Sequence, residues 1–315
     1  MKIAILGAGA LGSLFGSSLT RSGNEVYLID PVEPLVAQIK KEGITATLTT
    51  GEVIHTMVNI ESSAAEVAKK TGPVDLIMVF TKGMHTEDAV VAAKPLVGDN
   101  TCFLSLQNGI GNPQIIAKHY PEEKIFYGVT MVGAAKDGFV KVVEHSAPGA
   151  TSSIMSLSGK VTPELEKVAE TITNCGMKTI VNEKADQMIW EKLAMNCVAN
   201  SANVISRLTN GNFIRDPNGQ EVARMIVREV CEVANAKGIP LDYEKIMPWI
   251  IEKLSPQTEM YSSMAQDAKN RRPIEIETIT GGVVREAEKL GIPVPVNKVI
   301  YHFDKLIAAN YDKQF

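Results

Sequence analysis

The chain has 315 residues, 45% hydrophobic and 22% charged, with a formal net charge of −4. That is more than one ordinary domain needs, with apolar content enough for two cores. A mildly acidic chain has no general attraction for a phosphate polymer or an anionic membrane, and no run approaches the ~18–20 apolar residues of a membrane span. The expected location is therefore the cytoplasm, with neither nucleic acid nor membrane as partner.

The first predicted strand, 2–6, runs straight into Gly7-Ala8-Gly9-Ala10-Leu11-Gly12. In this Gly-x-Gly-x-x-Gly spacing Gly7 permits the tight turn, Gly9 lets main chain approach a pyrophosphate, and Gly12 lets the next helix pack close to the strand. The N-terminus of that helix, predicted over 11–21, presents N–H groups and a positive dipole end to phosphates. Lys2 before an apolar run would also suit a secretory signal, but the three glycines interrupt it. A second strand, 25–29, ends at Asp30, 18 residues after Gly12, where an acid accepts hydrogen bonds from the adenosine ribose.

Further apolar runs at 75–80, 101–106 and 125–132 alternate with helical stretches such as 32–42 and 86–96, which predicts a parallel sheet covered on both faces. Thr45 to Ile60, rich in β-branched residues, and 139–157 predict added antiparallel strands. The fold class is α/β and Rossmann-like over residues 1–180, a dinucleotide-binding domain, and all-α over 181–315, a substrate-binding and catalytic domain. Cys102, Cys175, Cys197 and Cys231 lie far apart in mostly apolar surroundings and read as buried free thiols. The five histidines show no metal-ligand spacing, so no metal site is expected.

From Ala185 onward helical patterns dominate. Trp190 to Asn203 reads as one helix, and no charged side chain falls between Lys192 and Arg207. At ~100° per residue Lys192, Asn196, Asn200 and Asn203 share one arc of ~80°, a polar ridge along an otherwise buried helix. An unsatisfied buried amide costs ~1–3 kcal/mol, so these asparagines either cap loops of their own domain or face a cleft and bind a polar ligand. In the second case Lys192 supplies a proton or a positive charge.

Two loops leave the C-terminal ends of predicted strands, where an open parallel sheet binds its ligand. Thr81-Lys82-Gly83 carries a lysine that reads equally as a surface residue. Gln107-Asn108-Gly109 reads either as a ligand loop or as a plain turn supplying positive φ. Further on, Ser262 or Ser263 suits a helix N-cap, and Pro273 suits the first turn of a helix whose start Glu275 and Glu277 would favour.

Taken together and in order, these motifs resemble the ketopantoate reductase (2-dehydropantoate 2-reductase) family over nearly the whole chain. The resemblance rests on the glycine motif, Lys82, Gln107-Asn108-Gly109 and Gly128-Val129-Thr130 with Gly133-Ala134. It continues through Trp190-x-Lys192-Leu193-x-x-Asn196-x-x-x-Asn200, Ser262-Ser263-Met264-x-Gln266-Asp267, Glu275 and Gly291-Ile292-Pro293-x-Pro295-x-Asn297. It implies an oxidoreductase in which ketoacid and nicotinamide meet in a cleft between the two domains. Lys192 would then protonate the ketone oxygen as hydride adds to its carbon. Asn196, Asn200 and Ser263 would hold the substrate, Glu275 would orient the substrate or Lys192, and Asn108 and Lys82 would act near nicotinamide and cofactor.

One departure bears on the cofactor, which is NAD or NADP. Members using NADP commonly carry a basic residue just after the second strand, whereas this chain has Asp30-Pro31. Asp30 favours NAD, unless Lys40 or Lys41 folds back towards a 2′-phosphate. The resemblance thus implies reduction of a small branched 2-oxo acid to its D-2-hydroxy acid, ketopantoate first, a step of pantothenate biosynthesis. An NAD-dependent D-2-hydroxyacid dehydrogenase of the D-mandelate or branched-chain type is the alternative, and Arg207 leaves substrate preference open. The uncharged helical stretches of the second domain would suit a homodimer.

Overall fold

The computed structural model describes residues 1–147 and 149–314. The chain forms two compact units: Met1–Gln107 with Asn112–Ala185, and Asn108–Gly111 with the chain from Asp186 onward.

The first unit opens with β1 (Lys2–Leu6), α1 (Ala10–Arg21), β2 (Glu25–Ile29), α2 (Glu33–Glu42), β3 (Ile44–Thr47), β4 (Val53–Thr56) and β5 (Asn59–Glu61). It continues with α3 (Ala64–Thr71), β6 (Leu76–Val79), α4 (Thr86–Ala92), β7 (Cys102–Ser105), α5 (Asn112–Ala117) and β8 (Ile125–Thr130). It closes with β9 (Ala134–Asp137), β10 (Lys141–Glu144), β11 (Ser152–Ser156), α6 (Pro163–Asn174) and β12 (Thr179–Val181). Eight strands make one sheet in the order β12-β11-β8-β7-β6-β1-β2-β5, parallel throughout except where β11 meets β8.

Strand residues alternate between two cores, as a sheet covered on both faces requires. Ile3, Ile5, Leu28, Met78 and Leu104 pack with Leu14, Phe15 and Leu19 of α1. Ala4, Leu6, Ile77, Val79 and Phe103 pack with Val67, Val90 and Ile116 on the other side.

The added antiparallel strands are placed differently from the sequence expectation. β3 and β4 pair antiparallel, but in a separate four-stranded sheet ordered β4-β3-β10-β9 that packs on α1, while β5 joins the main sheet parallel to β2. The helix expected over 86–96 stops at Ala92, and a 3₁₀ turn at Lys94–Leu96 carries Pro95, which cannot donate to a continuing helix.

The second unit holds α7 (Ala185–Asn196), α8 (Asn203–Ser206), α9 (Asn210–Arg215), α10 (Pro217–Ala236), α11 (Tyr243–Leu254), α12 (Ser263–Lys269), α13 (Thr280–Leu290) and α14 (Pro295–Ala308). Trp190 to Asn203 is not one regular helix, because Cys197–Ala202 forms a π-helical turn between α7 and α8. The Gly291-to-Asn297 motif is architectural. Gly291 ends α13 in the left-handed region (φ 68°), and the Glu229 carboxylate of α10 accepts from the backbone N–H groups of Val296 and Asn297 at 2.9 Å. A buried anion at the N-terminus of α14 satisfies two orphan donors and complements the helix dipole. Among the described residues no helix is long and apolar enough to cross a membrane.

Candidate active site

The glycine loop of the first unit lies between the C-terminal ends of three strands. Gly7 donates to Ile29 O at 2.8 Å, and Phe80 donates to Leu6 O at 2.9 Å. Gly7 has φ +97°, and a Cβ there would press on the Phe80–Thr81 backbone at 3.0–3.1 Å. A Cβ on Gly12 would stand 2.0 Å from Gly7 O, so α1 packs directly on the loop. Gly9 differs from both. Its φ of −65° suits any residue, and a Cβ there would meet nothing within 4 Å. Nothing in the protein itself requires glycine at 9; main chain left bare beside the N-terminus of a twelve-residue helix fits an approaching pyrophosphate.

Asp30 follows β2 and shapes this loop. Its Oδ2 accepts from Ala8 N at 2.9 Å and its Oδ1 from Val32 N at 3.1 Å, which leaves each oxygen further capacity for ribose hydroxyls. Lys40 does not fold back towards Asp30, because its Nζ is bonded to Glu61 Oε2 at 2.6 Å, and Lys70 pairs with the other oxygen of Glu61. Lys41 is exposed on α2. Lys82 is half-buried directly after β6, next to the Thr81 backbone that borders Gly7.

A residue the sequence reading did not single out also reaches the loop: Lys136 of β9, whose Nζ donates to Ala8 O at 2.7 Å. Burial pulls its pKa down to about 8 against the opposing pull of Asp30. No local sequence signal marks it, since its position depends on how the second sheet packs over α1.

In the second unit the polar ridge divides. Asn203 is tied to its own unit: its Nδ2 donates to Asn210 Oδ1 at 2.7 Å, and Asn210 in turn donates to Gln257 Oε1 at 2.7 Å, while Asn203 Oδ1 is buried without a partner among the described residues. The π-helical turn breaks the 100° periodicity on which the four-residue ridge depended. Asn200 stays with the site. Its Oδ1 accepts from Met264 N at 3.1 Å and from Ser263 Oγ at 3.4 Å. Ser262 is the N-cap of α12, accepting from Ala265 N at 3.3 Å, so Ser263 is spared that duty. Asn196 is only 7% exposed and makes no side-chain hydrogen bond to any described residue. Its amide is not fully closed off, so it keeps access to solvent or to a ligand.

Glu275 does not sit at the start of a helix. Pro273 begins no helix; α13 starts at Thr280, and a turn over 276–279 follows Glu275, whose backbone O accepts from Thr278 N and Ile279 N at 3.3 Å. Glu275 is half-buried between the buried Ile274 and Ile276, near enough to act electrostatically on Lys192. Desolvation lowers the Lys192 pKa from its ordinary value near 10.5 to about 8, and the Glu275 carboxylate opposes that fall. The loop bearing Asn108 is pinned to the same segment. Ile110 donates to Thr278 O at 2.8 Å, and Gly109 (φ +81°) lies so near that a Cβ would stand 2.1 Å from that oxygen. Gly109 is thus a positive-φ turn residue, and the loop that carries Asn108 is held against the turn that follows Glu275. Two links among these residues lie in the second unit: Glu275 acts on Lys192, and Asn200 accepts from Ser263 and Met264. Arg207 stands apart, exposed in the left-handed region at the end of α8.

Behind the π-helical turn is a second buried polar group. Ser201 and Thr280 share a hydroxyl hydrogen bond of 2.6 Å. Asp304 of α14 is fully buried, and neither of its carboxyl oxygens is hydrogen-bonded to a described residue. Burial raises its pKa to about 8; Ser201 opposes this from nearby, though its hydroxyl is committed to Thr280. The four cysteines are free thiols, three buried and Cys175 half-buried, and burial pushes Cys197 up to about 12.

Two family models match the chain: Ketopantoate reductase PanE/ApbA over residues 3–153, and Ketopantoate reductase PanE/ApbA C terminal over 184–308. The chain is 30% identical over 317 residues to the 2-dehydropantoate 2-reductase of Lactococcus lactis, covering 98% of this chain and 100% of that one. It is 29% identical to the Streptococcus pyogenes 2-dehydropantoate 2-reductase over 301 residues, 95% of each. Among solved structures, D-mandelate dehydrogenase with NADH and anilino(oxo)acetate superposes with a TM-score of 0.90 at 31% identity, over the full length of both chains. A PanE/ApbA family ketopantoate reductase from Ralstonia eutropha superposes with a TM-score of 0.87 at 28% identity, over 99% of this chain and 100% of that one. The chain belongs to the ketopantoate reductase family and is an NAD(P)-dependent oxidoreductase acting on a carbonyl/hydroxyl pair.

Proposed function

We propose that this chain is a cytoplasmic reductase that converts a small branched 2-oxo acid, 2-dehydropantoate first, to its D-2-hydroxy acid. The observation that carries the reading is the set in the second unit: a desolvated Lys192 under the electrostatic influence of Glu275, Asn196 with no side-chain hydrogen bond among the described residues, and Asn200 coupled to Ser263. A dinucleotide held there would supply hydride to the ketone carbon. As charge develops on the ketone oxygen, the Lys192 ammonium stabilises it and transfers its proton, an interaction stronger in the transition state than in the ground state. With a pKa of about 8, Lys192 is about nine-tenths protonated at pH 7, yet close enough to neutrality to give up the proton. Asn196, Asn200 and Ser263 hold the carboxylate and hydroxyl ends of the substrate. Glu275 orients Lys192, and Asn108 faces the reacting end.

On the cofactor side, Gly7 to Gly12 and Lys82 hold the dinucleotide and Asp30 accepts from the adenosine ribose, which supports NAD over NADP. That preference, with the likeness to D-mandelate dehydrogenase bound to NADH, supports a second reading: an NAD-dependent D-2-hydroxyacid dehydrogenase working on the same residues. A panel of 2-oxo acids assayed with NADH and NADPH in parallel decides. Highest kcat/KM for 2-dehydropantoate upholds the first reading, and highest kcat/KM for an aryl or unfunctionalised branched 2-oxo acid with NADH upholds the second. A homodimer completes the proposal, supported by Val299, Phe303 and Leu306, which stand 50–60% exposed along one side of α14. Light scattering in solution tests it, a protomer mass counting against it.

A further inference from the structure

Lys136 occupies an unusual position for a lysine. It lies in β9, an edge strand of the second sheet, directly opposite Val142 of β10, which is 1% exposed. Directly paired residues share a face of the sheet, so Lys136 is on the side that packs against α1 and the core. Ala134, two residues earlier and on the same face, packs against that core. The stem of Lys136 therefore runs along apolar surface and its ammonium emerges at the glycine loop.

There it has little to hold it. Its one hydrogen bond among the described residues is to Ala8 O, which already accepts from Ser13 Oγ at 3.0 Å. An ammonium has three donors, so two remain. Asp30 acts on it through space without forming an ion pair within 4.0 Å. A half-desolvated cation with two donors to spare, beside the acid that marks the ribose edge, has the makings of an anion site.

We propose that Lys136 is a specificity-determining residue at the adenosine end of the dinucleotide, offering its ammonium to a ribose 2′-phosphate and so offsetting the repulsion from Asp30. This rests on the cofactor reading given above. It supplies the cation that NADP recognition needs from the second sheet, in place of a basic residue after β2 or of Lys40, which is bound to Glu61. Preference between the two dinucleotides is then set by the balance of Asp30 against Lys136, and the chain accepts NADPH as well as NADH.

The test is binding without substrate, by calorimetry, on wild type, Lys136→Met and Lys136→Arg, using NADH, NADPH, 5′-AMP and 2′,5′-ADP. The last two differ only in the 2′-phosphate. Lys136→Met should weaken NADPH and 2′,5′-ADP roughly tenfold while NADH and 5′-AMP change less than about threefold, and Lys136→Arg should retain most of the binding. An equal loss for NADH and NADPH with both mononucleotides unchanged would place the ammonium on the pyrophosphate and overturn the assignment. So would a uniform loss across all four ligands, the mark of a prop for the glycine loop, or no loss at all. Wild type that binds neither dinucleotide would instead bring down the cofactor reading itself. If Lys136→Met does not fold, the ratio of 2′,5′-ADP to 5′-AMP affinity in Lys136→Arg and Lys136→Gln carries the same decision.

Discussion

The glycine loop and the polar helix are built on opposite plans. The loop offers main chain: contiguous residues between strand and helix, two of whose glycines are demanded by the protein's own packing while Gly9 is not. The helix offers side chains, and its register is reset by the π-helical turn at Cys197–Ala202. A main-chain site survives most changes of side chain around it, whereas a side-chain site depends on each head group and on the packing that aims it.

That contrast is sharpest at Lys192. Lys192→Ala should lower kcat by about 10³-fold, within the range for loss of a general acid, while NAD(P)H affinity stays the same. Unaltered turnover in stopped-flow assays would remove Lys192 from the chemistry. On the other side of the comparison, Gly9→Val should fold with only the small loss of Tm expected for a poorer N-cap yet lose roughly 100-fold in dinucleotide affinity, about 2.7 kcal/mol. Gly12→Val should lose stability as well, because its Cβ collides with Gly7 O. Equal losses of Tm in the two variants would erase the distinction drawn between the glycines.

A pH profile probes the side-chain site from another direction. Reduction needs the protonated ammonium, so kcat/KM should fall as pH rises through about 8, approaching tenfold per unit above it, while oxidation of the hydroxy acid gains over the same range. An unchanged profile up to pH 10 would mean that Lys192 is not the titrating acid. Asn196→Ala should raise KM for the 2-oxo acid roughly tenfold with little change in Tm, since no described residue loses a partner. Asn200→Ala should cost both, because the Met264 N–H loses its acceptor.

The smallest expected effect lies behind the turn. Asp304 has a folded pKa of about 8, far above the ~3.9 of an unfolded chain, so the folded state holds more protons between those values. Its contribution to stability is most favourable below about pH 4 and declines as pH rises towards 8. Asp304→Asn should therefore raise Tm by a few degrees at pH 8–9 and flatten the pH dependence of Tm. An Asn variant less stable than wild type at pH 9 would show that the acid's proton, or a partner it alone can take, is needed there.

How much of this was legible in the sequence follows the same division. The strand, the tight turn at Gly7 and the close helix packing at Gly12 read correctly because their geometry is local, fixed by φ and by residues within one βαβ unit. Lys192, Asn196 and Asn200 stood out as polar residues in an uncharged helix. Asn203 was grouped with them wrongly, because the size of a helical turn depends on tertiary packing that no 100° projection contains. The helix start read at Pro273 and Glu275 failed because a turn over 276–279 follows them and α13 begins only at Thr280. Lys136 had none, since only the assembly of β3, β4, β9 and β10 into their own sheet brings it to Ala8.

Gly9 has a consequence for how such a protein diversifies. A library screened for folded abundance alone should let position 9 drift freely, since backbone and surroundings there accept any residue, and should still purge position 12. Screened for turnover, the same library should hold both. The positions at which the two screens disagree would trace the outline of the bound nucleotide on the polypeptide with no ligand ever seen.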